Sequence, residues 1–310
     1  MTAGDYVQLS YKELECYTDS FSERSYLGHF QFGKLYHGKI NCLGWTQHVL
    51  VKIWEVPEIY NYFDGDNELR LIDELILLSH EKLTTHPGMV KLYGYCLEGD
   101  HLGVVYDFKP FDSVYNLIPK VRNLDAAHLV LDEDYNPKIC DFGLITGGVF
   151  PNRTIFKHHH VIGCYGYIDS CAFYAGDFSD KIDVFGFGAI LLSLIMKRVY
   201  TEEERLRSAP FVFKLALNEY EEYEYGSESE TEVNRPKFSV VHQSLAAEPG
   251  YCPDDGHKLS MMGVECVIGL GSERPNMKQI LNSMLKLNVV KEHADYLGVN
   301  DAIRSCENSP

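Results

Sequence analysis

The chain has 310 residues, with 28 Lys and Arg against 45 Asp and Glu, and a formal net charge of −17 at pH 7. This negative balance excludes a nucleic-acid partner or an anionic membrane surface, because both need a basic face. The content of 45% apolar and 13% aromatic residues excludes a disordered chain. At this length we expect one large domain, or two lobes that share a core.

The cysteines and the N-terminus indicate a cytoplasmic protein. None of the nine cysteines is in C-x-x-C spacing, which disfavours zinc and redox motifs and fits a reducing compartment. The first residues predict neither a signal peptide nor N-myristoylation. The longest apolar run, residues 184–196, is shorter than the roughly 20 residues of a membrane helix. We therefore expect no direct membrane insertion, and any place at the cytosolic face of the plasma membrane would come through a partner.

The first hundred residues predict strands and one helix. Residues 26–40 alternate around glycines, residues 48–54 form a β-rich run, and residues 102–108 return to strand character. Residues 67–79 carry an apolar stripe at helical spacing.

After about residue 170 the pattern is helical. The run 184–196 has the length of a buried core helix, and apolar residues recur at helical spacing from Met277 onward, with Pro275 at a tolerated start. A β-rich half followed by an α-rich half predicts an α+β fold with two lobes.

Residues 219–232 form an acidic insert with seven Glu between Tyr, Ser and Thr. Because densely packed like charges repel, we expect a solvated loop. The alternative is a segment that is phosphorylated or that docks a partner.

Four sequence features occur in an informative order. Gly28 and Gly33 bracket a Gly-x-x-x-x-Gly spacing, Lys52 follows on the next strand, Glu74 lies in the predicted helix, and Asp141 begins an Asp-Phe-Gly motif. The glycine spacing alone is weak and is equally typical of an ordinary hairpin. In this order the features resemble the signature set of protein kinases.

The resemblance is closer to plant receptor-like and receptor-like cytoplasmic kinases, and it covers about residues 10–288. The phrases that carry it are the lead-in at residues 10–23, the strand at 86–96, the hinge at 105–108, the segment at 163–169, the helix at 180–188 and the start of the last helix at 274–277.

The resemblance implies roles for individual residues. Lys52 would pair with Glu74 and hold the α and β phosphates of ATP, and Asp141 would hold magnesium. Tyr106 would be the gatekeeper and Phe108 a hinge residue of the nucleotide site, beneath the loop of Gly28 and Gly33. The simpler alternative is that Lys52 and Glu74 form a salt bridge without a nucleotide.

The catalytic loop departs from the pattern at three positions. Asn123 replaces the base, and an amide cannot accept a proton as a carboxylate does. Asp125 replaces the lysine that would neutralise the γ-phosphate, and His128 replaces the asparagine that would hold a second magnesium. Three active roles fail together, so the resemblance implies a catalytically degenerate member.

Two further departures agree. Phe30 replaces the second glycine of the loop and would crowd the approach of phosphates. Cys171 stands where the family has a glutamate that pairs with Arg274. Arg274 therefore needs another partner or solvent, because a buried unpaired charge costs several kcal/mol.

The resemblance predicts a two-lobed kinase-like fold in which part of the C-lobe helices is missing. Only 15 residues separate Tyr106 from Arg122, where the family places two helices. The expected divisions are a lead-in (1–13), an N-lobe (14–108), a C-lobe (109–288, shortened at 109–121) and a tail (289–310).

Two other patterns are weak indications of a metal site. His158, His159 and His160 are adjacent, so they cannot all face one metal on a regular element, and a solvated loop is the favoured interpretation. Residues 132–143 begin like a calcium loop but lack its glycine and its bidentate glutamate.

The sequence therefore predicts an inactive kinase-like scaffold, adaptor or decoy in plant receptor-kinase or immune signalling. Its partners would be active receptor-like kinases or immune receptors, and its binding of ATP and magnesium would be weak or absent. The alternatives are a weak serine/threonine kinase that uses Lys52 and Asp141, and a truncated product without function.

Overall fold

A computed structural model describes most of the chain. The described residues are 6–30, 32–42, 44–55, 66–113, 129–134, 136–140, 166–167, 169, 180–198, 207, 210–225 and 236–307. They fall into two compact units, one with the residues up to 140 and the other with those from 166 onward. The first is rich in strands and the second in helices, which agrees with the predicted α+β class. The expected loss of C-lobe helices concerns residues 107–121, of which 114–121 lie outside the described residues.

The first unit is built on a six-stranded sheet with the order β1-β5-β6-β4-β3-β2. Only the β1–β5 pair is parallel. The strands are β1 (Val7–Gln8), β2 (Tyr26–Phe30), β3 (Gly33–Cys42), β4 (Trp45–Trp54), β5 (Leu92–Glu98) and β6 (His101–Tyr106). The strands predicted at residues 26–40, 48–54 and 102–108 are all present, and β3 and β4 extend further to meet at a turn in which Gly44 has φ +91°.

Helices cover the sheet on both sides: α1 (Tyr11–Tyr17), α2 (Asp66–Leu78) and the short α3 (Glu81–Thr84). Because side chains alternate along a strand, Leu50 of β4 joins the core under α2, whereas Val49 and Val51 join the core under α1. The helix predicted at residues 67–79 is α2, one residue earlier.

The N-terminal lead-in is part of the first unit. Ser10 and Glu13 form a capping box at the start of α1. Leu14 is fully buried and packs so closely on β6 that a Cβ at Gly103 would lie 2.5 Å from its Cδ1 atom. The N-terminal residues 7–17 therefore contribute both a strand and a helix to this unit.

A second sheet of three short strands belongs to the first unit: β7 (Asp112–Ser113), β8 (Leu129–Leu131) and β9 (Pro137–Ile139). The Ile139 N–H donates to the Gly88 carbonyl at 2.9 Å, which ties β9 to the segment before β5. The predicted lobe boundary after residue 108 thus differs from the division by contacts, which keeps residues 109–113 and 129–140 with the first unit.

The second unit has a core of packed helices. They are α4 (Lys181–Ile195), α5 (Val212–Tyr225), α6 (Gln243–Ala246), α7 (Pro253–Val267), α8 (Met277–Met284), α9 (Asn288–Glu292), α10 (Ala294–Leu297) and α11 (Asn300–Glu307). The run 184–196 is the buried helix α4, as predicted. Glycines bring α4 and α7 close together, since a Cβ at Gly188 would lie 2.5 Å from the Cβ of Cys266.

Part of the acidic insert is helical. Residues 219–225 form the last turns of α5, so the expectation of a loop is wrong for them. Tyr220 and Tyr223 pack against Phe238, which anchors this end of the helix. The remainder of the insert lies outside the described residues.

The predicted tail is folded. The buried carboxylate of Asp255 accepts hydrogen bonds from the backbone N–H groups of Asn288 at 3.0 Å and Val289 at 2.8 Å, at the start of α9. This contact holds the start of α9 to α7. Over the described ranges, no helix combines the length and apolarity needed to cross a membrane.

Candidate functional site

The centre of the first unit is a buried ion pair. The Nζ atom of Lys52 lies 2.6 Å from Oε2 of Glu74, and neither side chain has any exposed surface. The alternation of β4 turns Lys52 toward α2, and the apolar stripe of α2 fixes which of its faces meets the sheet. The structure thus brings together the two residues that the sequence predicts as partners.

Tyr106 joins this pair to the second sheet. Its hydroxyl contacts Oε1 of Glu74 and lies 2.7 Å from the carbonyl oxygen of Cys140, the residue that follows β9. A phenol has one hydrogen, so it donates to one of these acceptors at a time. The fully buried ring of Tyr106 belongs to the same core cluster as Phe108, and its hydroxyl contact places the predicted gatekeeper at the pair.

Two aromatic rings cover the ammonium group of Lys52. The Nζ atom lies 4.6 Å from the ring centroid of Phe30 and 4.4 Å from that of Trp54, and the two rings meet edge to face. Each such cation–π contact is worth about 2 kcal/mol when it is shielded from water. They offset part of the several kcal/mol that burial of the charged pair costs.

The cover leaves one polar group without a partner. The indole N–H of Trp54 is buried and has no acceptor among the described residues. Trp54 lies two positions after Lys52, so the two side chains share one face of β4. That spacing is a signal from which the sequence could have predicted the role of Trp54.

A second aromatic contact links the hairpin between β2 and β3 to α2. The guanidinium of Arg70 lies 3.9 Å from the ring centroid of Phe32, and its Nη1 atom donates to Asn67 at 2.8 Å. The amide of Asn67 in turn donates to the carbonyl of Glu55, whose own N–H donates to the carbonyl of Phe32 at 2.7 Å. No pattern in the sequence pointed to this chain of contacts.

The two predicted loop glycines lie on the β2–β3 hairpin. Gly28 pairs with Leu35 across the hairpin. At Gly33 an added Cβ would lie 1.8 Å from the carbonyl oxygen of Ile53, so the packing of β3 on β4 already requires glycine there. The predicted positions Asn123, Asp125, His128 and Asp141, and the three adjacent histidines 158–160, lie outside the described residues.

In the second unit, Arg274 forms an ion pair with a residue that the sequence did not predict as its partner. Its Nη1 atom lies 2.7 Å from Oδ2 of Asp169, and both side chains are buried. Its Nε and Nη2 atoms donate to the carbonyls of Ile268 and Gly269, and Nη1 also donates to the carbonyl of Lys181. An acid two positions before Cys171 therefore neutralises this arginine.

Comparison of this chain with known proteins finds plant kinases that are similar to it in sequence. The chain is 25% identical to "Probable serine/threonine-protein kinase PBL16" of Arabidopsis thaliana over 94% of this chain and 76% of that protein. It is 31% identical to "Serine/threonine-protein kinase CDG1" over 61% of this chain, and 29% identical to "Cysteine-rich receptor-like protein kinase 34" over 63%, both from the same plant. It spans 49% of the first of these two and 32% of the second. No protein-family model matches the chain. These relatives are thus plant protein kinases, among them serine/threonine kinases and a receptor-like kinase.

Proposed function

We propose that this chain is a catalytically inactive kinase-like protein that acts as a scaffold, adaptor or decoy in plant receptor-kinase or immune signalling. The observation that carries the proposal is the state of Lys52, which is wholly buried, paired with Glu74 and covered by Phe30 and Trp54. A kinase needs this lysine to contact the phosphates of ATP. The enclosure of Lys52 by Glu74, Phe30 and Trp54 supports a structural role for this lysine.

The catalytic-loop sequence supports the same conclusion independently. A transferring enzyme needs a carboxylate near the substrate hydroxyl and positive charge near the γ-phosphate. Asn123 offers an amide for the first role, and Asp125 offers a negative charge where the second is needed. With His128 in place of a magnesium ligand, we propose that ATP and magnesium bind weakly or not at all.

Protein partners are the remaining route to function. The chain carries a net charge of −17, which disfavours nucleic acid. The similar plant proteins are a probable serine/threonine-protein kinase and a receptor-like protein kinase. We propose that the partners are active receptor-like kinases or immune receptors, and that such a partner supplies any contact with the cytosolic face of the plasma membrane.

A phosphate-transfer assay tests the proposal. The purified chain is incubated with γ-labelled ATP and magnesium, alone and with a generic protein substrate, beside the Lys52→Ala variant. We expect the two proteins to give the same background signal. Magnesium-dependent transfer that disappears in Lys52→Ala would overturn the proposal.

The second candidate function is weak serine/threonine kinase activity. The 2.6 Å contact between Lys52 and Glu74 is the observation in its favour, because an active kinase needs the same pair. Asp141→Ala distinguishes the candidates, since it removes the predicted magnesium ligand. Equal background in Asp141→Ala and the unchanged chain would dismiss this second function.

A further inference from the structure

Two phenylalanines from the β2–β3 hairpin each place a ring on a cation. Phe30 lies over Lys52, which is paired with Glu74 of α2, and Phe32 lies over Arg70 of α2 itself. Both phenylalanines are almost completely buried. The hairpin is therefore joined to α2 directly through Phe32 and Arg70, and indirectly through Phe30, Lys52 and Glu74.

Three described side chains restrict how an added anion could approach Lys52. The Glu74 carboxylate occupies one side of the ammonium, and the two rings lie at 4.6 and 4.4 Å on others. A phosphate oxygen would have to approach to about 2.8 Å to form a charge-assisted hydrogen bond. An oxygen that approached from the side of the Phe30 or Trp54 ring would overlap the volume which that ring fills, so the ring would have to move first.

Three parts of the first unit make contacts with α2. Arg70 stacks on Phe32, the Asn67 amide donates to the carbonyl of Glu55 at 3.1 Å, and the hydroxyl of Tyr106 contacts Glu74. The hairpin, the end of β4 and the gatekeeper thus each fix one part of the helix.

We infer that Phe30 is an internal cover on Lys52 and that, with Phe32, it keeps α2 in its paired position without a nucleotide. The first unit then presents one conformation to its protein partners whatever the concentration of ATP. This inference rests on the proposed function, because it describes how an inactive kinase-like unit keeps the arrangement that active kinases need.

Acylation of lysines tests the cover directly. The whole chain is treated with N-acetoxysuccinimide, and the labelling rate of Lys52 is compared by mass spectrometry with that of Lys39, an exposed lysine on the neighbouring strand. Labelling of a buried amine requires local opening, so we expect Lys52 to react at least about tenfold more slowly. In Phe30→Gly this protection falls, whereas Phe30→Leu, which keeps an apolar side chain of similar size, retains most of it. Equal rates for Lys52 and Lys39 in the unchanged chain would overturn the inference, even if Phe30→Gly failed to fold.

Inorganic tripolyphosphate tests the same cover from the side of the ligand. We expect it to raise the melting temperature of Phe30→Gly but not that of the unchanged chain or of Phe30→Leu, because only removal of the ring opens space beside Lys52. Equal stabilisation of all three proteins would contradict the cover.

Hydrogen exchange of residues 66–78 tests the second part of the inference. We expect the same protection of α2 with and without ATP, and faster exchange in Phe32→Ala. ATP-dependent protection of α2 in the unchanged chain would contradict it. Because labelling and exchange are read without phosphate transfer, the inference and the proposed function can fail separately.

Discussion

Lys52 shows how neighbouring side chains decide the role of a buried charge. An ammonium at the mouth of a cleft can bind an anion, whereas the same group paired with Glu74 beneath Phe30 and Trp54 has its interactions supplied internally. Two charges without exposed surface are strongly coupled, because removal of one leaves the other unpaired in a poor dielectric.

This coupling predicts the behaviour of variants of the pair. Glu74→Ala should lower the free energy of unfolding of the first unit by about 3–5 kcal/mol, because Lys52 keeps a buried charge without its carboxylate. The double variant Lys52→Met with Glu74→Leu should lose less than Glu74→Ala alone. Both tryptophans, Trp45 and Trp54, lie in the first unit, so fluorescence during urea unfolding reports on it selectively. A cost below about 1 kcal/mol for Glu74→Ala would mean that the pair is open to water.

In the second unit, neighbouring groups likewise decide the role of the buried charge of Arg274. Its guanidinium is neutralised by Asp169 and donates to three backbone carbonyls, and it lies 5.0 Å from the ring of Phe185. The fork of N–H groups on arginine suits several acceptors at once, which a lysine cannot match.

Variants of Asp169 and Arg274 test whether Asp169 is the counter-charge of Arg274. Asp169→Ala should destabilise the second unit by about 3 kcal/mol, because Arg274 loses its counter-charge while still buried. Arg274→Lys should also destabilise it although the charge is kept. The measurement is thermal unfolding followed by circular dichroism at 222 nm. As a control, Lys237→Ala removes an exposed ion pair with Asp254 and should change little. An unchanged transition in Asp169→Ala would contradict a structural role for the pair.

At the scale of elements, close packing decides where glycine is needed. Gly186 and Gly188 both lie in α4. A Cβ at Gly188 would lie 2.5 Å from the Cβ of Cys266 and 2.9 Å from a methyl of Val267, whereas at Gly186 the nearest atom is the carbonyl oxygen of Tyr167 at 3.6 Å. Of these two glycines, Gly188 is therefore the one that the contact between α4 and α7 requires.

The two glycines give a matched pair of variants. Gly188→Ala should lower the stability of the second unit by about 1–3 kcal/mol, because two helices must separate. Gly186→Ala should be neutral or raise the stability by up to about 1 kcal/mol, because alanine favours the helix. Thermal unfolding of both variants under the same conditions measures the difference. If the two alanines had equal effects, α4 and α7 would not be packed as described.

The elements also show what sequence could predict. Apolar spacing located α2 and α8 to within a few residues, because periodicity records which face is buried, and the length of an apolar run located α4. The order of motifs predicted that Lys52 pairs with Glu74, and the resemblance placed Tyr106 in the same nucleotide site as the gatekeeper. The partners Phe32 for Arg70 and Asp169 for Arg274 were missed, because contacts between distant segments depend on the fold. The helix at residues 219–225 was missed because Phe238, which packs on Tyr220 and Tyr223, outweighs the repulsion between glutamates.

At the scale of the whole molecule, both units have ordered cores of their own. The first is centred on the pair of Lys52 and Glu74, and the second on the packed helices α4 and α7 with Arg274 at one end. Among the described residues, each unit holds a buried ion pair, Lys52 with Glu74 in the first and Arg274 with Asp169 in the second. A chain that keeps these costly groups satisfied fits a protein retained for its folded surface, which is the role expected of a scaffold, adaptor or decoy.

The most direct test of this account is the melting temperature of the purified chain with ATP, measured with and without magnesium and beside Lys52→Ala. A ligand that binds only the folded state stabilises it according to its concentration and affinity. With Lys52 enclosed by Phe30 and Trp54, we predict that about 1 mM ATP changes the melting temperature by less than about 1 °C in either protein. A magnesium-dependent rise of several degrees that is lost in Lys52→Ala would contradict the account.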